Sequence, residues 1–397
     1  MHLLKSKKIK LLLCSLIFSN LYAQNEAFDE KIISDKRLKD LQLTKEQIEE
    51  NSSKLRKDWI NPITYQLTNN LGEDYKTQKS MISINQPIFQ SGGIYQAIKY
   101  ADNSYKYANL ELEQQKNELI KEALNLLFMI EKTNLTIQKS QYTLQNAKID
   151  VARKKEQVLN GFLDASYLDD SLLTLNTTKH NLVDLKYQKQ ELINNFNNIS
   201  SKDYTNFQLP TFLIFSEAEF LQNNINLKKI ESDIDKKDNY SYMTMAKYLP
   251  SINAYYNYSK YHETDNNPKF TKENEQTFGL SLTVPFDSRT YNDVQSKRID
   301  YLKSKLNLEN SIDDEKTFFK IKLEKISMLD ERLQITKDDL EVYDSILKII
   351  NEEKNAQIKT QSDLDTLQNS QKIKSLDLKI YEIEKQLQLL EMYVKLQ

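Results

Sequence analysis

The sequence predicts a mainly α protein with a small β part, built as one unit written twice. Three features carry this reading. Two stretches, about 94–160 and 291–355, run for about 65 residues with no proline and almost no glycine. Four short segments alternate apolar and polar residues in two hairpins. A strand-to-helix junction, Ser80 to Gly93 (SMISINQPIFQSGG), returns as Phe278 to Tyr291 (FGLSLTVPFDSRTY), each time with a proline, an aromatic within two positions and then a long helix.

The elements follow in chain order. Residues 1–23 read as a secretory signal peptide, with Lys5, Lys7, Lys8 and Lys10 as the basic region, Leu11 to Phe18 as the apolar stretch and Leu21-Tyr22-Ala23 as the cleavage site. A membrane anchor is the alternative, but the apolar run falls short of the ~20 residues that a spanning helix needs. The first repeat, 24–215, opens with a helix over Glu26 to Lys57. A hairpin at about 62–88 follows, with strands at Ile63 to Leu71 and at the alternating run that Pro87 is expected to end, because proline donates nothing to a ladder. The long helix over about 94–160 rises 1.5 Å per residue, giving roughly 100 Å. Gly161, suited to a left-handed helix cap, makes the far turn. A return helix spans about 166–198.

The linker Ser200 to Ser216 leads to the second repeat, 216–397. There a helix over Glu217 to Lys247 precedes a hairpin at about 251–286. Ile252, Ala254, Tyr256 and Tyr258 share one face of its first strand. In the second strand Phe278, Leu280, Leu282, Val284 and Phe286 oppose Thr277, Gly279, Ser281 and Thr283 before Pro285. Strands of about 9 to 11 residues are long enough to cross an outer membrane when tilted. The second long helix, about 291–355, carries an apolar stripe expected to be core: Leu302, Leu306, Ile312, Phe319, Leu323, Ile326, Leu329, Leu333, Leu340, Ile346 and Ile350. Its far turn, Asn355 to Lys359, has no glycine, and the last helix spans about 360–396.

Composition narrows function. Five glycines, six prolines, 28% charged and 39% hydrophobic residues describe long helices with polar outer surfaces. Leaving out the signal-peptide lysines moves the formal net charge from −2 to about −6, which does not suggest nucleic acid, and no nucleic-acid partner is expected. The single cysteine, Cys14, lies in the signal peptide, so disulfides and thiolate metal sites are not expected, and Leu13 before it argues against a lipoprotein. His180 and His262 have no companion at ligand spacing, so no metal site is expected. With no phosphate loop, nucleophile elbow or Ser-His-Asp pattern, neither catalytic residues nor a cofactor are expected, and the protein reads as no enzyme.

The junctions NQPIFQSGG and LTVPFDSRT, the lead-in Tyr248-Leu249-Pro250-Ser251 and the far-turn phrase Gly161 to Leu173 (GFLDASYLDDSLL) resemble the TolC family of outer-membrane efflux and secretion ducts. Two departures stand out. The second junction lacks the glycine pair seen as Gly92 and Gly93, and with the sequence ending at Gln397 part of an equatorial collar is expected to be missing. The resemblance implies a homotrimer whose four transmembrane strands per chain form a 12-stranded β-barrel in outer-membrane lipid, continued by a periplasmic α-barrel of long antiparallel coiled coils. It also implies partnership with a periplasmic adaptor (membrane fusion) protein and an inner-membrane transporter, as the exit duct of a tripartite efflux pump or type I secretion system. Within it, Pro87, Gly92, Gly93 and Pro285 mark the barrel-to-helix junctions. Asp363 and Asp365 (TQSDLDTLQ) become candidates for an acidic periplasmic gate. Asp169 and Asp170, read as their counterparts, join Gly161 in a candidate adaptor-contact turn. The alternatives are a periplasmic coiled-coil scaffold or adaptor, which has no use for alternating strands, and a surface adhesin, which would place its barrel and coiled coil once.

Overall fold

The fold is described from a computed structural model covering residues 30–71, 76–264 and 273–396. The signal peptide and the first residues expected in the opening helix lie outside them. The elements are α1 (Asp35–Lys57), β1 (Thr64–Leu71), β2 (Lys76–Phe89), α2 (Gly93–Leu159), α3 (Ala165–Ile199), α4 (Glu217–Asn223), α5 (Ile225–Ala246), β3 (Ser251–Thr264), β4 (Asn274–Thr283), α6 (Thr290–Asn355) and α7 (Gln361–Tyr393).

Three expected element boundaries in the first two-thirds of the chain need correction. The first helix begins at Asp35, because Glu30–Ile32 form a 3-10 turn that buries Ile32 and Ile33, and the Ser34 amide donates to the Ile199 carbonyl at 2.8 Å. The helix expected over Glu217 to Lys247 breaks at Asn224, whose ψ of 115° is extended and whose backbone bridges antiparallel to Leu396. Pro87 does not end its strand: β2 continues to Phe89, and a register irregularity between Pro87 and Phe89 absorbs the missing donor.

The chain divides into two compact units, with α1, α2 and α6 each contributing residues to both. One unit, within 1–41, 114–224 and 315–397, holds the hydrophobic core. Phe128, Phe196, Phe220 and Phe319 are fully buried there. The linker belongs to this core. Phe212 is 3% exposed, its amide donates to Gln386 Oε1 at 2.7 Å, and its ring lies 4.9 Å from that of Tyr393. Burying one such ring contributes about 1.5–3 kcal/mol.

Helix α7 runs antiparallel to α2 in heptad register. Lys132 pairs with Glu384 at 2.7 Å, Lys139 with Asp377 at 2.6 Å and Arg153 with Asp363 at 3.0 Å. Asn146 supplies the intervening rung, donating to the Thr366 carbonyl and accepting from Asn369 at 2.9 Å. Partners recur every seven residues on both helices in opposite order, as a left-handed antiparallel coiled coil requires. On its other side α7 meets α6 through Lys374–Asp339 and Lys385–Asp330, both at 2.6 Å.

The stripe on α6 is core only in part. Phe319, Ile326, Leu329 and Leu333 are buried, whereas Leu302, Leu306 and Ile346 are exposed, together with Ile299, Ile335 and Val342. Helical periodicity identifies a face, but what covers it changes along so long a helix.

The other unit, 42–113 and 225–314, holds one antiparallel sheet in the order β1-β2-β3-β4. Each hairpin pairs as expected, and β2 and β3, the central strands, join the two from Thr77↔Thr264 to Phe89↔Ile252.

Candidate functional site

Register sorts the sheet into two chemically distinct faces. Tyr65↔Ile82, Ile82↔Tyr258, Ile84↔Tyr256, Tyr256↔Phe278, Ala254↔Leu280 and Ile252↔Leu282 lie on one face. Phe278, Leu280 and Leu282 on it are 81%, 69% and 68% exposed, so the chain presents an apolar surface that it does not itself cover. The opposite face carries Thr64↔Ser83, Asn85↔Tyr255, Asn257↔Thr277 and Asn253↔Ser281. Tyr256 and Tyr258 therefore belong to the apolar face, while Tyr255 and Tyr261 belong to the polar one. Gly279 is fitted to Tyr255: a Cβ there would meet the Tyr255 hydroxyl at 2.8 Å.

The two junctions reach the same result by different chemistry. In the first, Ser91 (φ 47°) and Gly92 (φ 86°) take left-handed conformations, and the Gly93 amide donates to the Gln90 carbonyl at 2.7 Å. Ser91 Oγ donates to the Pro250 carbonyl at 2.7 Å, tying this junction to the start of β3. In the second, the Thr290 amide donates to the Asp287 carbonyl at 3.2 Å. Thr290 is thus the counterpart of Gly93, and Arg289 of Gly92. No left-handed residue occurs among 285–290; instead the Arg289 amide donates to Asp287 Oδ1 at 2.8 Å and its guanidinium Nη2 to Oδ2 at 2.7 Å. Those donors hold the Asp287 carboxyl down at about 2. β4 ends at Thr283, so Pro285 follows the strand rather than closing it. Phe286 is 95% exposed.

A cavity of about 600 Å³ lies at the first junction, lined by Leu55, Trp59, Gly93, Tyr100, Tyr240 and Met243 among others. Gly93 is fitted to its wall, since a Cβ there would lie 2.9 Å from the Ala246 Cβ.

The far turns share one backbone motif. Gly161 has φ 74°; its amide donates to the Val158 carbonyl and that of Phe162 to Gln157. Gln357 has φ 63°, with the same pair of bonds to Lys354 and, from Ile358, to Glu353. Both are Schellman caps. Matching Gly161 to Gln357 places Asp169 opposite Asp365, Tyr167 opposite Asp363, and Asp170 opposite Thr366. Asp169 and Asp170 are exposed.

Asp363 completes a capping box with Thr360: Thr360 Oγ1 accepts from the Asp363 amide, and Asp363 Oδ2 accepts from the Thr360 amide at 3.1 Å. The Thr360 donors, and beyond them Arg153, hold its carboxyl below the usual range. Asp365 accepts from Gln361 Nε2 at 2.6 Å. Among the described residues no group of acids, histidines or cysteines is placed to hold a metal, and no helix is long and apolar enough to cross a membrane. Arg153 was missed as a partner of the gate candidate. Its signal was readable: cationic Lys132, Lys139 and Arg153 and acidic Asp363, Asp377 and Glu384 all sit at multiples of seven.

This is the fold of TolC-family outer-membrane channels. The outer-membrane protein VceC of Vibrio cholerae matches with a TM-score of 0.72 at 11% identity, covering 94% of this chain and 96% of that one. CusC, described in terms of transmembrane channel formation, matches at 0.70 and 13% identity, covering 94% and 91%. The CmeC outer-membrane channel of Campylobacter jejuni matches at 0.70 and 11%, covering 94% and 85%. No family model matches the sequence, and no curated protein sequence matches it.

Proposed function

We propose that this protein is an outer-membrane channel with a large periplasmic portion, the passive exit duct of a tripartite efflux or type I secretion system. The observation that carries the reading is the four-stranded sheet with one apolar and one polar face. Strands β1 and β4 end the sheet with unpaired edges, and the apolar face is uncovered. In lipid every backbone donor and acceptor must be satisfied within protein, so the edges must pair with other copies. Three chains pooling four strands each close a 12-stranded barrel, with the apolar face to lipid and the polar face to water. The uncovered parts of the α6 stripe are then covered by neighbouring protomers.

In this reading residues 24–215 and 216–397 are two repeats of one unit, and the shared Schellman caps support their equivalence. Substrate passes from an inner-membrane transporter through a periplasmic adaptor into the helical tunnel and out through the barrel, the energy being spent in the transporter. The turn at Gly161, with exposed Asp169 and Asp170, serves as adaptor contact. Asp363 and Asp365 line the gate. Because Asp363 is already engaged by Thr360 and Arg153, Asp365 presents the freer charge.

Single-channel conductance in planar bilayers, with the oligomer mass measured in detergent, tests the duct. A conducting trimer is the expected result, and a non-conducting soluble species would overturn it. Asp363→Ala combined with Asp365→Ala is expected to weaken block by di- or trivalent cations. Unchanged block removes both residues from the constriction.

A further inference from the structure

The sheet register also places charge. On the face that carries Ser83, Asn257 and Thr277, every described strand side chain is uncharged except Lys79 and Glu275. These two are joined through one tyrosine. Tyr261 pairs with Lys79 across β2 and β3, and Lys79 Nζ lies 5.4 Å from the centre of its ring. The Tyr261 hydroxyl donates to Glu275 Oε2 at 3.3 Å. Ammonium, ring face and carboxylate thus form one compensated cluster at the end of the sheet away from the helix junctions.

We propose that Lys79 is a charge-selectivity residue: it neutralises Glu275, so that Glu275 adds no cation preference to the outer end of the lumen. The inference rests on the duct reading, in which the polar face lines water and each cluster occurs three times around the axis. In such a ring one uncompensated charge per chain would be focused by the low-dielectric wall and would select by sign. Tyr261 positions the pair and keeps its ring over the cation.

The test is the reversal potential of single channels in a KCl gradient at low salt, where screening is weakest. It is made in the Asp363→Ala, Asp365→Ala background so that acids at the far turns do not set the sign. The parent sets the reference potential, to which exposed Glu273 beside the cluster also contributes. Lys79→Gln should raise the cation-to-anion permeability ratio several-fold, and Glu275→Gln should lower it in the same measure. The combined Lys79→Gln, Glu275→Gln variant should return to the parent value, a rescue that a merely structural disturbance would not produce. Conducting channels with the same potential in all four proteins would overturn the selectivity role and leave the duct standing. Absence of conductance in the parent would overturn the duct reading, and this inference with it.

Discussion

The two far turns and the two strand-to-helix junctions make an instructive pair of regions. The far turns share one backbone while their sequences differ: Gly161 and Gln357 sit at φ 74° and 63° and close the same two hydrogen bonds. At the junctions the backbone itself differs. One junction passes through left-handed Ser91 and Gly92, and the other braces its turn with the Asp287–Arg289 pair. A helix end is a local hydrogen-bonding problem with few solutions, so both turns use one motif. A strand-to-helix junction must also match the strand before it, and β2 carries a register irregularity at Pro87 to Phe89 just ahead of its junction.

The two junctions should differ most at Gly93 and its counterpart. Gly93→Ala brings a Cβ to 2.9 Å from that of Ala246, a contact with neither atom on a flexible side chain, and should cost about 1–3 kcal/mol. Thr290→Ala removes only a side chain that the second junction already accommodates and should change stability by less than about 0.5 kcal/mol for its packing, plus the Oγ1 bond to the Asp287 carbonyl at 2.6 Å. Thermal unfolding of both variants in detergent checks the sizes; a Gly93→Ala loss under about 0.5 kcal/mol would mean that the close approach at Gly93 relaxes freely.

Next comes the far-turn exchange. Nothing lies within 4 Å of a Cβ built on Gly161, so Gly161→Ala acts through the left-handed backbone alone and should cost about 1 kcal/mol. Gln357→Gly should gain a similar amount, because it removes the same strain. Opposite signs in the two melting shifts would confirm that the turns are equivalent, and matching signs would refute it.

What the sequence disclosed follows the same division between local and distant causes. The β4 alternation from Thr277 to Leu282, the lengths of α2 and α6 and the left-handed Gly161 were legible because each depends on near neighbours. The break at Asn224 was not, since it is made by a bridge to Leu396 at the far end of the chain. Pro87 misled for a related reason: a missing donor ends a strand only where the register cannot shift, and β2 shifts by carrying Ile88 as an extra residue against β3. The α6 stripe was read as one continuous core, but Leu302 and Leu306 are exposed while Phe319 and Leu329 are buried, because periodicity reports a face and not its cover. Of the candidate site, the acids were found by phrase and their partners were not. Asp363 reads as a free carboxylate until Thr360 and Arg153 are seen on either side of it.

The α3 and α7 starts differ in their caps, which allows a smaller test. Thr360 is engaged in a full capping box, whereas Asp164 makes no side-chain cap bond. Thr360→Ala should therefore cost about 1 kcal/mol, and Asp164→Ala only a few tenths.

The smallest effect concerns acid. Arg153 and Asp363 are both substantially exposed, so their pair contributes less than about 1 kcal/mol, and Arg153→Gln should lower stability by no more than that. Its pH dependence has a definite sign. The carboxyl of Asp363 is held below its ordinary value in the folded chain, first by Thr360 and then by Arg153, so the folded state binds this proton more weakly than the unfolded state does. The stabilisation is present above the ordinary carboxylate range and is lost as pH falls through the depressed folded value. Acidification should then loosen the start of α7 from α2, while the turn from Gly161 into α3, with no such carboxylate box, stays as it is. Amide exchange at Asp363 and Leu364 against that at Tyr167 and Leu168, followed from neutral pH into the acid range and corrected for intrinsic rates, measures this difference. Asp363→Asn should abolish it; an undiminished acid response in that variant would assign the loosening to another group.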